Sequence, residues 1–375
     1  MSIPISDKPL RWGILSTAGI ARKNWQAIRN SGNGIVAAVA SRDEAKGAQF
    51  IAECQADAAF PDAPRAIGSY AEIIAAPDID AVYIPLPTGV RKEWVIKAAQ
   101  AGKHVMCEKP CAPSLADLEE MVAACRAAGV QFMDGIMYMH SDRLPALRAV
   151  LDDGESIGQM RRIACGFSFC APDDFLKGNI RMHSGLEPQG CLGDLGWYTI
   201  RFALFATGYQ MPARVRATML DQLDQLGRAD SPDAVPVEFS AELFFPGGVS
   251  ATFYNSFQTE HQQWAHISGT KGSLLVSDFV LPYCGSELEF TVSNAHFDVA
   301  NTRFVMERHD RRHAVREYSN NHENAQETKL FRRFADLALS GTPDNFWPDA
   351  ALKTQKIMDA CLLSARQGGT AIEIA

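Results

Sequence analysis

Short apolar runs alternate with amphipathic runs over the first third of the chain, and this order restricts the fold more than any other feature. The apolar runs predict strands over residues 11–15, 35–40, 81–86, 103–107 and 130–133. Helical patterns lie between them, up to residue 28 and over 45–54, 70–75, 91–101 and 115–128. A strand–helix order of this kind predicts a parallel sheet with helices on both faces.

The turn after the first strand stands where a dinucleotide-binding loop is expected. It consists of Ser16, Thr17, Ala18, Gly19 and Ile20. Because a strand precedes this turn and a helix follows it, its amides and the helix N-terminus would face a pyrophosphate. The fingerprint is incomplete, since Ser16, Ala18 and Ala21 replace its three glycines, although all three are small. An ordinary strand–helix turn is the alternative.

The end of the second strand predicts which cofactor is bound. Ser41 and Arg42 follow that strand, about 20 residues after the turn, where an acidic residue usually binds the ribose of NAD. A guanidinium can instead pair with a 2′-phosphate and stack on adenine. We therefore predict a preference for NADP(H). Asp43, one residue later, keeps NAD as the alternative.

Two loops follow later strands of the same predicted sheet. The first consists of Pro85, Leu86, Pro87 and Thr88. The second ends the apolar run of residues 103–107 with Glu108, Lys109 and Pro110. Ligands of open parallel sheets bind outside the carboxyl ends of the strands, so both loops are candidate cofactor contacts and Lys109 is placed for chemistry. A surface turn that exposes a Glu-Lys pair is the alternative.

The pattern changes after residue 138. Alternating, β-prone runs predict strands over 161–169, 215–220, 237–245, 249–257, 266–268 and 273–276. They indicate a large, mainly antiparallel sheet, which helices can cover on one face while the other forms an interface. Further helices are predicted over 144–151 and 323–339, and over 350–367 with Asp349 as its cap. The fold class is therefore an α/β N-terminal domain, residues 1–137, and an α+β C-terminal domain, residues 138–375, whose last helix packs on the first domain.

One motif lies inside the second domain. A helix is predicted over 194–206, with Asp194 and Tyr198 four residues apart on one face of its first turn. The alternative is that Asp194 is an ordinary helix cap and Tyr198 an ordinary half-buried residue.

Together these motifs resemble the Gfo/Idh/MocA family of oxidoreductases. The family has a Glu-Lys-Pro motif like residues 108–110 and an aspartate followed four positions later by histidine or tyrosine, like Asp194 and Tyr198. Its members often have a histidine where Arg91 or a neighbour stands here. The resemblance covers nearly the whole chain and implies a Rossmann domain, a cis Lys109–Pro110 bond and a dimer formed through the C-terminal sheet.

The resemblance also implies roles for individual residues. Lys109, Asp194 and Tyr198 are the predicted catalytic residues of hydride transfer between nicotinamide and a sugar, polyol or cyclic diol. Lys109 would lower the pKa of Tyr198, and Asp194 would bind a substrate hydroxyl or orient the pair. Four further polar residues are candidates for contacts with such a hydroxyl-rich substrate, namely His140, Arg181, His183 and Glu187. Solvated loop positions are the alternative for these four.

Composition excludes several other classes of protein. A net charge of −8 makes a nucleic-acid partner unexpected, and no apolar run has the length of a membrane span. With no signal-peptide core and nine scattered cysteines, we expect a cytoplasmic protein with reduced thiols and no metal site. Two rivals remain. One is a non-catalytic NADP(H)-binding sensor, and the other is a metal-dependent hydrolase that uses His309 and His313 in a basic run that otherwise suits a solvated surface.

Overall fold

The computed structural model describes residues 8–224 and 228–374, which fall into two compact units. The first contains the chain up to His140, with His183–Pro188 and Asn320–Lys356. The second contains Ser141–Met182, Gln189–Ser319 and the chain from Ile357 onward.

The first unit contains a six-stranded parallel sheet, as the alternation of apolar and amphipathic runs predicts. Its strands are β1 (Leu10–Leu15), β2 (Gly34–Ala40), β3 (Arg65–Ile67), β4 (Ala81–Ile84), β5 (His104–Cys107) and β6 (Phe132–Asp134). Their order, β3-β2-β1-β4-β5-β6, is that of a dinucleotide-binding Rossmann sheet. The three-residue strand β3 is the one strand of this sheet that the apolar pattern does not predict.

Five helices alternate with these strands. They are α1 (Gly19–Ser31), α2 (Glu44–Asp57), α3 (Tyr70–Ala75), α4 (Thr88–Gln100) and α5 (Leu115–Ala127). The Ser114 hydroxyl accepts from the Asp117 N–H at 3.3 Å and so caps α5, which buries Leu118 and Val122 in the core and ends at Ala127. The bounds of α5 therefore agree closely with the helix predicted over 115–128.

The second unit contains a nine-stranded, mainly antiparallel sheet. Its strands are β7 (Met160–Ser168), β8 (Arg214–Leu223), β9 (Val235–Phe244), β10 (Ser250–Ser256), β11 (Gln262–Gly269), β12 (Ser273–Val276), β13 (Leu288–Ala300), β14 (Arg303–Val315) and β15 (Ile372–Glu373). Their order is β14-β13-β12-β11-β7-β10-β9-β8-β15, and only the β7–β10 pair of this order is parallel among the described strands. This confirms the predicted fold class.

The two faces of this sheet differ in burial. One row across five strands is almost completely buried, and it consists of Leu243, Ala251, Ile163, Ile267 and Leu274. The neighbouring row points to the opposite face and is more polar and more exposed, consisting of Glu242, Thr252, Ala164, His266 and Leu275. The sheet thus has one face in the hydrophobic core and one open face.

The remaining helices are α6 (Arg143–Asp152), α7 (Asp173–Gly178), α8 (Gly190–Asp194), α9 (Gly196–Ala206), α10 (Gln326–Leu339) and α11 (Phe346–Arg366). In the first unit, α10 places Phe331 and Phe334 against Trp12 of β1, with ring centroids 5.5 and 4.9 Å apart. Residues 346–356 of α11 belong to the first unit, and the rest of that helix belongs to the second. No helix within the described ranges combines the length and apolarity of a membrane span.

Two local predictions are wrong. The single helix predicted over 194–206 is broken at Leu195, where φ is −105°, so Asp194 ends α8 and Tyr198 belongs to α9. Asp349 lies inside the first turn of α11 and pairs with Arg126 at 2.5 Å rather than capping the helix. The basic run with His309 and His313 is mostly exposed, which agrees with a solvated surface, and it belongs to the edge strand β14, which the apolar pattern does not predict.

Candidate active site

The β1–α1 turn is shaped to approach a ligand with its backbone. Ser16 has φ +111°, a backbone conformation that favours glycine. The turn therefore keeps the backbone conformation of the fingerprint, although serine replaces its first glycine. Ala18 provides an N-cap without a side-chain hydrogen bond, and the first turn of α1 carries no acidic residue. No described heavy atom lies within 4 Å of the position of a β-carbon on Gly19. These features fit a pyrophosphate at the positive end of α1.

The β2–α2 connection presents a guanidinium rather than a carboxylate. Arg42 is exposed, whereas Ser41 is buried and its hydroxyl accepts from the Asp43 N–H at 3.3 Å. Asp43 caps α2 by accepting from the N–H groups of Ala45 and Lys46 at 3.1 and 3.3 Å. The Asp43 carboxylate already caps the N-terminus of α2. Of Arg42 and Asp43, Arg42 therefore has the side chain that is available to a ligand.

A buried arginine joins the two loops that follow β4 and β5. The Arg91 guanidinium, 3% exposed, donates to the carbonyl of Leu86 at 3.0 Å and to that of Glu108 at 2.5 Å, and it also donates to the carbonyl of Pro110. The Lys109–Pro110 bond between the last two acceptors is cis, which confirms the prediction. One side chain therefore fixes both cofactor-loop candidates. No pattern in the sequence predicts this role, although Arg91 stands near the position where family members often have a histidine.

The buried Glu108 side chain anchors the loop after β5 to the core of the first unit. Its Oε1 accepts from the Tyr83 hydroxyl at 2.5 Å and from the Asn24 amide at 3.4 Å. Its Oε2 accepts from the backbone N–H of Lys109 at 3.2 Å, and Gly135 leaves room for the carboxylate. Burial, followed by the Glu108 charge, raises the pKa of Tyr83 well above its usual range, so Tyr83 stays a hydrogen-bond donor.

Asp194 and Tyr198 lie at the junction of α8 and α9 in the second unit. The Asp194 carboxylate pairs with the Arg181 guanidinium at 2.8 Å, so the sequence candidate Arg181 is joined to the acid of the motif. Tyr198 is 7% exposed and its ring meets Phe167 edge-to-face at 5.5 Å. This packing fixes the orientation of the Tyr198 ring.

Close backbone packing sets the position of this junction. Gly190 has φ +48°, and a β-carbon there would stand 2.1 Å from the Pro236 carbonyl oxygen of β9, so glycine is required. Asn255 of β10 accepts from the Thr199 hydroxyl at 3.4 Å and donates to the Phe167 carbonyl at 3.3 Å. The break at Leu195 is thus held against the sheet from both sides of the motif.

The other substrate candidates occupy different surroundings in the first unit. His140 stacks on Trp347 with ring centroids 4.4 Å apart. The His183 ring nitrogen Nδ1 accepts from the Gly185 N–H at 3.1 Å and closes a local turn. Both carboxylate oxygens of Glu187 accept from Thr88, at the start of α4. His140, His183 and Glu187 thus belong to the first unit and Arg181 to the second, so neither unit contains all four candidates.

The described residues offer no cluster of three or more His, Cys, Asp or Glu side chains placed to hold a metal ion. His309 and His313 stand four positions apart on a strand, which separates them by about 13 Å at the usual rise per residue. The ring of His313 stacks on Phe290 with centroids 4.8 Å apart. These two histidines cannot share one ion.

Comparison with known proteins adds a family assignment for both parts of the chain. Residues 10–136 match the sequence model described as "Oxidoreductase family, NAD-binding Rossmann fold". Residues 145–275 match the GFO/IDH/MocA C-terminal domain. The first match spans every strand of the six-stranded sheet, and the second includes the Asp194–Tyr198 motif.

Individual relatives agree with this assignment. D-xylose 1-dehydrogenase (NADP(+)) 2 of Haloferax volcanii is 33% identical over 71% of this chain and 75% of its own. Trans-1,2-dihydrobenzene-1,2-diol dehydrogenase of Bos taurus is 30% identical over 76% of this chain and 78% of its own. The crystal structure of the aldose-aldose oxidoreductase from Caulobacter crescentus complexed with glycerol shares the fold, with a TM-score of 0.78 at 23% identity over 98% of this chain and all of that one.

The contacts of Arg91 yield a stability prediction. Arg91→Met should lower the free energy of unfolding by about 3 kcal/mol or more, because three buried carbonyls each lose a donor at about 1–3 kcal/mol. Urea unfolding followed by tryptophan fluorescence measures this change.

The adjacent Lys92→Met is the matched control. Lys92 bonds to Asp117 and Glu120 on the surface at 2.8 and 2.7 Å, and its replacement should cost about 1 kcal/mol or less. Equal losses in the two variants would contradict a special role for the Arg91 contacts.

Proposed function

Since this chain belongs to the Gfo/Idh/MocA family of oxidoreductases, we propose that it transfers a hydride between NADP(H) and a carbinol or carbonyl carbon of a sugar, polyol or cyclic diol. The observation that carries the proposal is the pair of loops held by Arg91 at the carboxyl ends of β4 and β5. These strands are neighbours in the parallel sheet, and ligands of such sheets bind at this edge. Lys109 projects from one of the two loops.

NADP(H) is the cofactor that the first unit fits best. Arg42 offers a guanidinium to a 2′-phosphate, while Asp43 is engaged at the N-terminus of α2. The relative from Haloferax volcanii carries NADP(+) in its name, which supports the same choice. Residues 16–20 would hold the pyrophosphate, and residues 85–88 with Glu108 and Lys109 would line the nicotinamide side.

The protein's own residues handle the proton and the orientation of the substrate. When bound, the nicotinamide supplies or accepts the hydride. Lys109 and Tyr198 are the proposed proton-handling residues for the substrate oxygen. Asp194, oriented by its ion pair with Arg181, is proposed to accept a hydrogen bond from a neighbouring substrate hydroxyl. An acid that selects a second hydroxyl suits a polyhydroxylated substrate, and the named substrates of the two sequence relatives, a xylose and a diol, have that chemistry.

A substrate screen tests the function. Aldoses, polyols and cyclic diols are offered with NADP+ and, in parallel, with NAD+, and the absorbance of the reduced cofactor is followed. We expect turnover of at least one class, with a lower KM for NADP+ than for NAD+. No turnover in either direction, with the matching carbonyl compounds and reduced cofactors included, would contradict the proposed function.

Substitution of the proposed catalytic residues tests their assignment. Lys109→Met and Tyr198→Phe should each lower kcat by about 100-fold or more, because each removes a group that handles the proton. The Kd for NADP+, from quenching of tryptophan fluorescence, should change by only a few-fold. Lys97→Met and Tyr283→Phe alter exposed residues of the same types and should keep full activity. Wild-type kcat in both test variants would refute the assignment.

A second copy of the chain is the proposed partner. The open face of the nine-stranded sheet carries Thr252, His266 and Leu275, the last 42% exposed, and a face of this kind can pack on its copy. Multi-angle light scattering should give twice the monomer mass, and Leu275→Glu should reduce that mass. A monomer at micromolar concentration would overturn the proposal.

A further inference from the structure

Glu187 holds the start of α4 with both of its carboxylate oxygens. Its Oε1 accepts from the backbone N–H of Thr88 at 3.0 Å, and its Oε2 accepts from the Thr88 hydroxyl at 2.6 Å. The Thr88 side chain is completely buried. Two hydrogen bonds to one buried residue fix both the backbone and the side chain of Thr88, and bonds to a charged acceptor are stronger than neutral ones.

The N-terminus of α4 depends on the Glu187 carboxylate because the helix has no capping side chain or acidic residue of its own there. Pro87 at the N-cap has no capping side chain, and the first turn of α4 carries no acidic residue. A carboxylate at that end also stabilises the helix dipole. The segment that bears Glu187 lies directly on this turn, since the Gly89 N–H donates to the Leu186 carbonyl at 2.9 Å. A β-carbon on Gly89 would stand 2.2 Å from the Gly185 carbonyl oxygen, so the close approach requires glycine.

Thr88 also contacts the loop that contains Lys109, the proposed catalytic lysine. The Thr88 hydroxyl oxygen lies 3.3 Å from the Pro110 carbonyl oxygen, which is also an acceptor for Arg91. Thr88 itself ends the loop of residues 85–88 that is proposed to line the nicotinamide. Glu187, Thr88 and Arg91 therefore act on one short stretch of backbone around Lys109.

Glu187 also stands at a defined place in the chain. His183–Pro188 belongs to the first unit, although the residues on either side of this segment belong to the second. Asp194 follows seven positions after Glu187. The contact at Thr88 thus joins two parts of the first unit that are 99 positions apart in the chain.

We propose that Glu187 and Thr88 form a positioning clamp for hydride transfer, an inference that rests on the proposed function. Glu187 acts through Thr88 on the geometry of the two cofactor loops, and it is a positioning residue rather than a ligand of the substrate. Its carboxylate is engaged at both oxygens, which leaves the substrate to other groups. Loss of the clamp loosens the alignment of donor and acceptor carbons, on which the rate of the chemical step depends strongly.

The test is a double-mutant cycle of Glu187→Gln, Thr88→Val and the double variant, with exposed Glu119→Gln in α5 as the matched control. Each single variant should lower kcat by about 10-fold or more, leave the substrate KM within about two-fold, and raise the deuterium isotope effect on kcat. The double variant should be no slower than the worse single one, because both remove the same contact. Glu187→Asp should recover part of the rate, and Glu119→Gln should match the wild type.

Several outcomes would overturn the clamp. A higher substrate KM with an unchanged kcat and isotope effect would make Glu187 a substrate ligand. Additive losses in the two single variants, or wild-type kinetics in both, would show that the contact does not position the reaction. If the wild type turns over no substrate, the proposed function fails, and the clamp is then judged by the coupling of the same variants in urea unfolding, where additive changes would refute it.

Discussion

The proposed site depends on the hydrogen bonds that the buried Arg91 guanidinium donates to backbone carbonyls. The guanidinium places a charge in the interior of the first unit, where an ion must be well hydrogen-bonded to be tolerated. Its acceptors are backbone carbonyls from the loops after β4 and β5, two strands that are adjacent in the sheet. A planar group with five donors can join several carbonyls, which an ammonium cannot do with the same geometry. Irregular backbone at the sheet edge is thereby held in one conformation.

Glu108 and Pro110 of the Glu-Lys-Pro motif make different contacts on either side of Lys109. Glu108 turns into the core, where Tyr83 and Asn24 offset the cost of burying a carboxylate. Pro110 follows a cis bond, and its carbonyl is an acceptor for Arg91. Lys109 lies between these two anchors, so its backbone is fixed on both sides. This arrangement gives a physical reason why the three residue types occur together in the proposed cofactor site.

Much of the fold follows from local sequence signals. The apolar period predicts five of the six strands of the first sheet, and Ser114 predicts the start of α5 because its cap is a contact within one turn. The prediction of one helix over 194–206 failed because the break at Leu195 arises from long-range packing of Gly190 on Pro236 and of Asn255 on β7 and α9. Strands β13 and β14 were missed because their long exposed parts lack the apolar alternation of a half-buried strand.

The residues of the candidate site likewise include some that the sequence predicts and some whose roles depend on tertiary contacts. Lys109, Asp194 and Tyr198 are candidates because they belong to short motifs in the sequence that resemble those of the family. The roles of Arg91 and Glu187 were not predictable, because their partners are set by tertiary structure: Arg91 reaches residues 17 to 19 positions away, and Glu187 reaches Thr88 across 99. Polar type alone made Glu187 a substrate candidate, whereas its contacts make it a structural partner of α4.

We propose that this chain passes a hydride directly between NADP(H) and the carbon of a hydroxyl-bearing substrate. The most direct measurement uses NADPH labelled with deuterium at the transferred position of nicotinamide C4, with mass spectrometry of the reduced product. The product carbon should gain one deuterium, with no loss of label to water. Unlabelled product, or label recovered in the solvent, would contradict direct transfer and with it the proposed role of the site.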